Sequence, residues 1–229
     1  MSEFAAVVFD VLGTVVDEER TTERETTEQF VAAGLDGAQA AEVARAWLAR
    51  LSDLVGEAVA RRAPWEPNDA LRRRALHEAL SPEDRAALGV ERITHLETIG
   101  HRLEPWPDSP AALGRIAERR MVVALTNGNL SQSAAMSAAA DLRWHCLLSA
   151  DAVQAFKPDA AMYRLPLEQL DLVAEQTLFA AAHPWDLRGA REHGYRTAFI
   201  ARPGAELPER PDEFDLRADS LAGLAELLA

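Results

Sequence analysis

The chain has 229 residues, 48% of them hydrophobic, and a formal net charge of -13. That length suits one large domain or one domain carrying a smaller one, and the composition without low-complexity tracts excludes collagenous, coiled-coil and disordered classes. The acidic balance and the lack of a dense Lys/Arg stripe argue against nucleic acid as a partner. Arg72-Arg73-Arg74 reads as one solvated helix face. A small anionic organic substrate is still allowed, because a local cationic pocket outweighs a distant field screened over ~8–10 Å. The lone Cys146 excludes an intramolecular disulfide, and Leu147-Leu148 beside it mark a buried small hydrophobe. This fits a reducing cytoplasm. No basic stretch with an apolar signal core opens the sequence, and no segment approaches the ~20 apolar residues of a membrane span. A soluble cytoplasmic protein without a membrane partner is expected.

In chain order, the apolar run Ala5-Ala6-Val7-Val8-Phe9 predicts a buried strand ending at Asp10. A long Ala/Glu/Arg-rich stretch from about Glu18 to Thr98 follows with helical spacing. Ala40, Val43, Trp47, Leu51 and Leu54 recur every three or four residues, as in an amphipathic helix. Pro64-Trp65-Glu66-Pro67 breaks the helices, Asn68 or Asp69 is positioned to cap the next, and Ser81-Pro82-Glu83-Asp84 resembles a further N-terminal cap. After Pro105-Trp106-Pro107-Asp108-Ser109 comes a helix to about Arg119, then a second buried strand, Met121-Val122-Val123-Ala124-Leu125. A helix from about Ser131 to Ala140 leads to His145-Cys146-Leu147-Leu148, and Phe156-Lys157-Pro158-Asp159 runs into another helix. Thr177 to Ala182 forms a strand, a helix starts near Leu187, Arg196 to Ala201 forms a last strand, and a short helix spans Ser220 to Leu228. Repeated strand and helix units predict an α/β fold with a parallel, Rossmann-like sheet. The expected division is a core of residues 1–15 and 100–229, with 16–99 as an inserted helical cap.

Polar clusters fall at or just after the predicted strands: Asp10 with Thr14, Thr126 with Asn127, Lys157, and His183 with Asp186. In a parallel sheet those ends share one edge, so distant residues converge on one crevice. Gly13 permits a tight loop, and the Thr14 hydroxyl is placed to orient the carboxylate or a substrate. An ammonium at Lys157 balances two carboxylates and keeps Asp10 ionised and nucleophilic. The Asn127 amide can donate to an anion. Each cluster also has an ordinary structural reading, with Lys157-Pro158-Asp159 and Asn127-Gly128-Asn129 as turns and Asp186 as a helix cap.

Asp10-Val11-Leu12-Gly13-Thr14, Leu125-Thr126-Asn127-Gly128-Asn129, Phe156-Lys157-Pro158-Asp159 with Tyr163, and Ala181-Ala182-His183-Pro184-Trp185-Asp186 with Gly189-Ala190 resemble the four ordered motifs of the haloacid dehalogenase superfamily. The helical insert after the first motif resembles that superfamily's cap. Its phosphatases resemble Asp-x-Asp-x-Thr, whose second aspartate protonates the leaving group, and Leu12 can neither give nor take a proton. Ala182 stands where the phosphatases place another acidic residue that helps hold magnesium. Both positions match the type II 2-haloacid dehalogenases, which use no metal.

The resemblance implies a hydrolase that cleaves the carbon–halogen bond of short 2-haloalkanoates through an aspartyl-ester intermediate on Asp10. Asp186 near Lys157, assisted by His183, would activate water for the second step. Leu12, Thr14, Trp47, Thr126, Asn127 and Tyr163 would contact substrate. No cofactor and no metal site are expected; magnesium belongs only to the alternative of a phosphatase acting on a small phosphate ester. A binding protein on a disabled scaffold is the third reading, and a homodimer is left open. Family dehalogenases resemble a Trp-Arg pair in the first cap helix, but Leu48 follows Trp47. Arg45 and Arg50 lie nearby and read as a solvated face. Ala180-Ala181-Ala182-His183 and Pro105-Trp106-Pro107-Asp108 resemble a smaller branch of the family.

Overall fold

A computed structural model describes residues 4–210 and 213–229; the first three residues of the predicted core lie outside them. Strand β1, Ala6–Phe9, is buried along its whole length, as its unbroken apolar run requires of a strand covered on both faces. It lies at the centre of a parallel sheet, with Val8 in register with Val123 on one side and Phe179 on the other. Four helices follow: α1 Glu18–Ala32, α2 Gly37–Val59, α3 Asn68–Ala79 and α4 Pro82–Glu97. The remaining units are α5 Ser109–Ala117, β2 Met121–Thr126, α6 Leu130–Ala139, β3 Cys146–Ser149, α7 Ala160–Gln169, β4 Thr177–Ala181, α8 Pro184–Glu192, β5 Arg196–Ile200, β6 Leu216–Ala218 and α9 Leu221–Leu227. The strand order is β3-β2-β1-β4-β5-β6. Connections therefore diverge to either side of β1, and a crevice opens at its C-terminal end.

Local chemistry explains the helix ends. The carboxylates of Asp17 and Asp36 accept backbone N–H groups at the starts of α1 and α2. Ser81 and Asp84 form a reciprocal capping box with Pro82 as the first residue of α4. The α2 stripe of Ala40, Val43, Trp47, Leu51 and Leu54 is buried, and Trp47 Nε1 donates to the Arg72 carbonyl at 2.8 Å, tying α2 to α3. No helix among the described residues is long and apolar enough to cross a membrane.

Several sequence expectations change. Asn68 does not cap α3; Pro67 holds that position, and the Asn68 side chain is buried instead. Arg72, Arg73 and Arg74 do not share a solvated face, because consecutive helical residues point about 100° apart. Arg72 is fully buried, while Arg73 and Arg74 pair with Asp69 and Glu66. Helix α8 starts at Pro184, which suits the first helical position, so Asp186 lies inside its first turn rather than capping it. Cys146 is half-buried. Strand β6 carries no sequence signal, being three residues long at the sheet edge.

Candidate active site

Asp10 continues β1 beyond its last residue, its N–H donating to the Ala180 carbonyl at 3.0 Å. The chain then turns sharply. Gly13 takes φ +79, a conformation costly for other residues, and a Cβ there would meet His183 Nε2 at 2.8 Å. Val15 and Val16 both donate to the Val11 carbonyl and close the loop. This brings the Thr14 hydroxyl back to donate to Asp10 Oδ2 at 2.6 Å while accepting the Ala182 N–H at 2.8 Å. Thr14 thus links β1 to β4 and orients the carboxylate.

Lys157 arrives from the far side of the sheet, where its backbone N–H donates to Asn127 Oδ1 at 2.8 Å. Its Nζ donates to Asp10 Oδ1 at 2.7 Å and to Asp186 Oδ2 at 2.5 Å. The other Asp186 oxygen accepts the Tyr163 hydroxyl at 2.7 Å. Asp10, Lys157 and Asp186 are 4%, 2% and 0% exposed. Burial alone would push the Asp10 carboxyl up, but Lys157, His183 and Thr14 together hold it below its ordinary value. Burial disfavours the Lys157 ammonium, yet its two carboxylates raise its pKa. Asp186 is pushed up by burial and by the Asp10 charge, against the pull of Lys157. Asp10 is the ionised carboxylate, and Asp186 takes a proton more readily than an ordinary aspartate.

A cavity of about 550 Å³ opens over this triad. Its floor carries Asp10, Leu12, Asn127, Lys157, His183 and Trp185; its roof is the α2 stripe Leu48, Leu51, Ser52, Val55 and Val59, with Asn68 from α3. The His183 ring stacks on Trp185, with Nε2 3.0 Å from the Leu12 carbonyl and 3.6 Å from Asp10 Oδ2. A buried, ionised carboxylate below an apolar roof is poorly solvated, and that favours attack on a substrate carbon.

A model of haloacid dehalogenase-like hydrolases matches residues 4–194. The chain belongs to this family. An (S)-2-haloacid dehalogenase of Pseudomonas putida is 27% identical over 91% of both chains. One from Pseudomonas sp. (strain YL) is 35% identical over 55% of this chain and 56% of that protein, so the chain spans just over half of that relative's length. Among solved structures, a defluorinating L-2-haloacid dehalogenase superposes with a TM-score of 0.88 at 29% identity, over 98% of this chain and 95% of that one. A second L-2-haloacid dehalogenase gives 0.85 at 33% identity over 98% of both.

In this haloacid dehalogenase-like hydrolase, Asp10, Leu12, Asn127, Lys157 and His183 meet at the cavity as the motifs suggest. Asp186 stands behind Lys157, with both oxygens engaged. Four residues expected to contact substrate do not line the cavity: the Thr14 hydroxyl is spent on Asp10 and the Ala182 N–H, and Trp47, Thr126 and Tyr163 are likewise engaged elsewhere. Trp47 is locked between α2 and α3, Thr126 Oγ1 accepts the Gly128 N–H, and Tyr163 serves Asp186. Arg45 is exposed beside the Ala41 carbonyl, and Arg50 pairs with Glu57 and Glu78, so neither fills the place opened by Leu48. Sequence reasoning missed Asn68 and the α2 roof. The spacing of Leu48, Leu51, Ser52, Val55 and Val59 was available as a second stripe, whereas Asn68 was hidden by its resemblance to a cap.

Proposed function

We propose that this hydrolase cleaves the carbon–halogen bond of short 2-haloalkanoates through an ester on Asp10. The observation that carries the reading is the ionised, buried Asp10 on the cavity floor, clamped by Lys157 and Thr14, with the uncharged Leu12 where a phosphatase needs an acid. An Asp10 oxygen attacks C2 in line, and halide leaves with the bonding electron pair. Water then adds to the Asp10 carbonyl carbon. Collapse expels the 2-hydroxyacid oxygen and regenerates the carboxylate, and the net proton is released. Water reaches the ester beside His183, and the proton shift is supported by the Lys157 and Asp186 pair behind it.

Helices α1 to α4 act as the cap, the apolar α2 roof holding bulk water off the nucleophile. Leu12 and Asn127 contact the substrate. The two carboxylates of the site share Lys157 as their cation, so turnover needs no added metal. The half-buried thiol of Cys146, whose pKa burial raises, is inert and suits a reducing cytoplasm.

The test is chloride release from 2-chloropropionate with and without a chelator, followed by one turnover in heavy-oxygen water. The label is expected in the Asp10 peptide. Magnesium-dependent hydrolysis of p-nitrophenyl phosphate without halide release would overturn the reading.

A further inference from the structure

The cavity poses a charge problem for a carboxylate substrate. Its ammonium, Lys157, is already shared by two carboxylates, no arginine is among the described residues that line it, and Glu18 and Glu19 add negative charge to its wall. A carboxylate entering such a site needs a cation, and a guanidinium suits it best.

One guanidinium lies immediately behind that wall. Arg72 is 0% exposed, and its Nη2 donates to Glu18, itself a lining residue. Its Nε and Nη1 are sealed from solvent yet have no hydrogen-bond partner. One helical turn earlier on the same face of α3, Asn68 is 3% exposed and lines the cavity, and its Oδ1, an acceptor, has no partner, so the unpaired donors at this wall are those of Arg72. Buried donors and acceptors are nearly always satisfied, so unpaired ones clustered beside a cavity mark groups held ready for a ligand. The Trp47 indole bonded to the Arg72 carbonyl fixes this turn of α3 against α2, next to Leu48.

We propose that Arg72 is the carboxylate-recognising residue of this hydrolase, supplying from α3 the cation absent at Leu48. The assignment rests on the 2-haloalkanoate reading above. Glu18 holds the guanidinium at the cavity wall and competes for it, so the substrate carboxylate shares or displaces that partner.

The test compares chloride release from 2-chloropropionate and from its near-isosteric, uncharged amide, 2-chloropropionamide. Arg72→Met should lower kcat/KM for the acid about ten- to a hundredfold, chiefly through KM, and leave the amide within about threefold. Arg72→Lys should restore part of the acid activity. Glu18→Gln keeps the size of the side chain and removes the competing charge, so it should raise the acid-to-amide ratio; this arm decides if Arg72→Met fails to fold by circular dichroism. An unchanged acid-to-amide ratio in a folded Arg72 variant, or in Glu18→Gln, overturns the proposal, as does wild-type turnover of the amide alone. If the amide is too slow to measure, an acid KM that stays constant in Arg72→Met while kcat falls has the same meaning. Chloride from neither compound would instead overturn the dehalogenase reading itself.

Discussion

Lys157 Nζ lies 2.7 Å from Asp10 Oδ1 although 147 residues separate them. The same ammonium reaches Asp186, so one cation is buried between two carboxylates. Burial and the Asp10 charge raise Asp186 above its ordinary pKa against the pull of Lys157, whereas Lys157, His183 and Thr14 hold Asp10 below its own against the effect of burial. That division suits the proposed nucleophile at the cavity, with the sealed acid behind it.

Asp10→Asn should fold normally and abolish halide release, since an amide of nearly the same size is a poor nucleophile. Halide release and circular dichroism measured together decide this. Turnover near the wild-type rate would remove Asp10 from the mechanism.

Lys157→Met should cost about 3–5 kcal/mol, because it leaves buried carboxylates without their cation. The pH signature follows from the shifts. In the wild type, the lowered pKa of Asp10 gives stability that is present above the ordinary aspartate value, ~3.9, and lost as pH falls through its native value. The raised pKa of Lys157 gives stability that is present below its ordinary value, ~10.4, and lost as pH rises through the native one. Thermal melts across pH should show both limbs in the wild type and neither in the variant.

Gly13→Ala should damage the site twice. The positive φ is strained for alanine, and the added methyl meets the His183 ring. A loss of about 1–3 kcal/mol is expected, with a fall in kcat from the displaced Asp10 loop. Wild-type stability and turnover would show that the loop relaxes freely.

Leu48→Arg places a guanidinium on the cavity roof. Steady-state kinetics should show an improvement in kcat/KM for 2-chloropropionate worth about 1.5–3 kcal/mol. The position, not the neighbouring Trp47, faces the crevice. An unchanged kcat/KM in the folded variant would mean either that Arg72 already supplies the cation or that the roof does not approach the substrate carboxylate, and Leu48→Arg combined with Arg72→Met separates the two.

The four motifs, the parallel sheet and the helical insert were legible because each rests on local signals: an apolar run, a periodic stripe, a turn residue, a cap. The capping box at Ser81 and the convergence of Asp10, Lys157 and His183 follow from those signals together with the handedness of parallel sheets. Side-chain direction was not legible. Trp47 and Leu48 are adjacent in sequence, yet one is locked between helices and the other faces the cavity, because successive helical residues diverge by about 100°. Thr126 and Tyr163 carry the right chemistry for substrate contact but spend it on Gly128 and Asp186, partners that only packing brings within reach. Asn68 and Arg72 read as a cap and a solvated charge, whereas the packing of α3 against α2 and α4, with Arg72 paired to Glu18 of α1, buries both. Sequence alone determined which chemistry this protein carries; tertiary structure decided which groups face the substrate, because burial and hydrogen-bond partners depend on the approach of elements far apart along the chain.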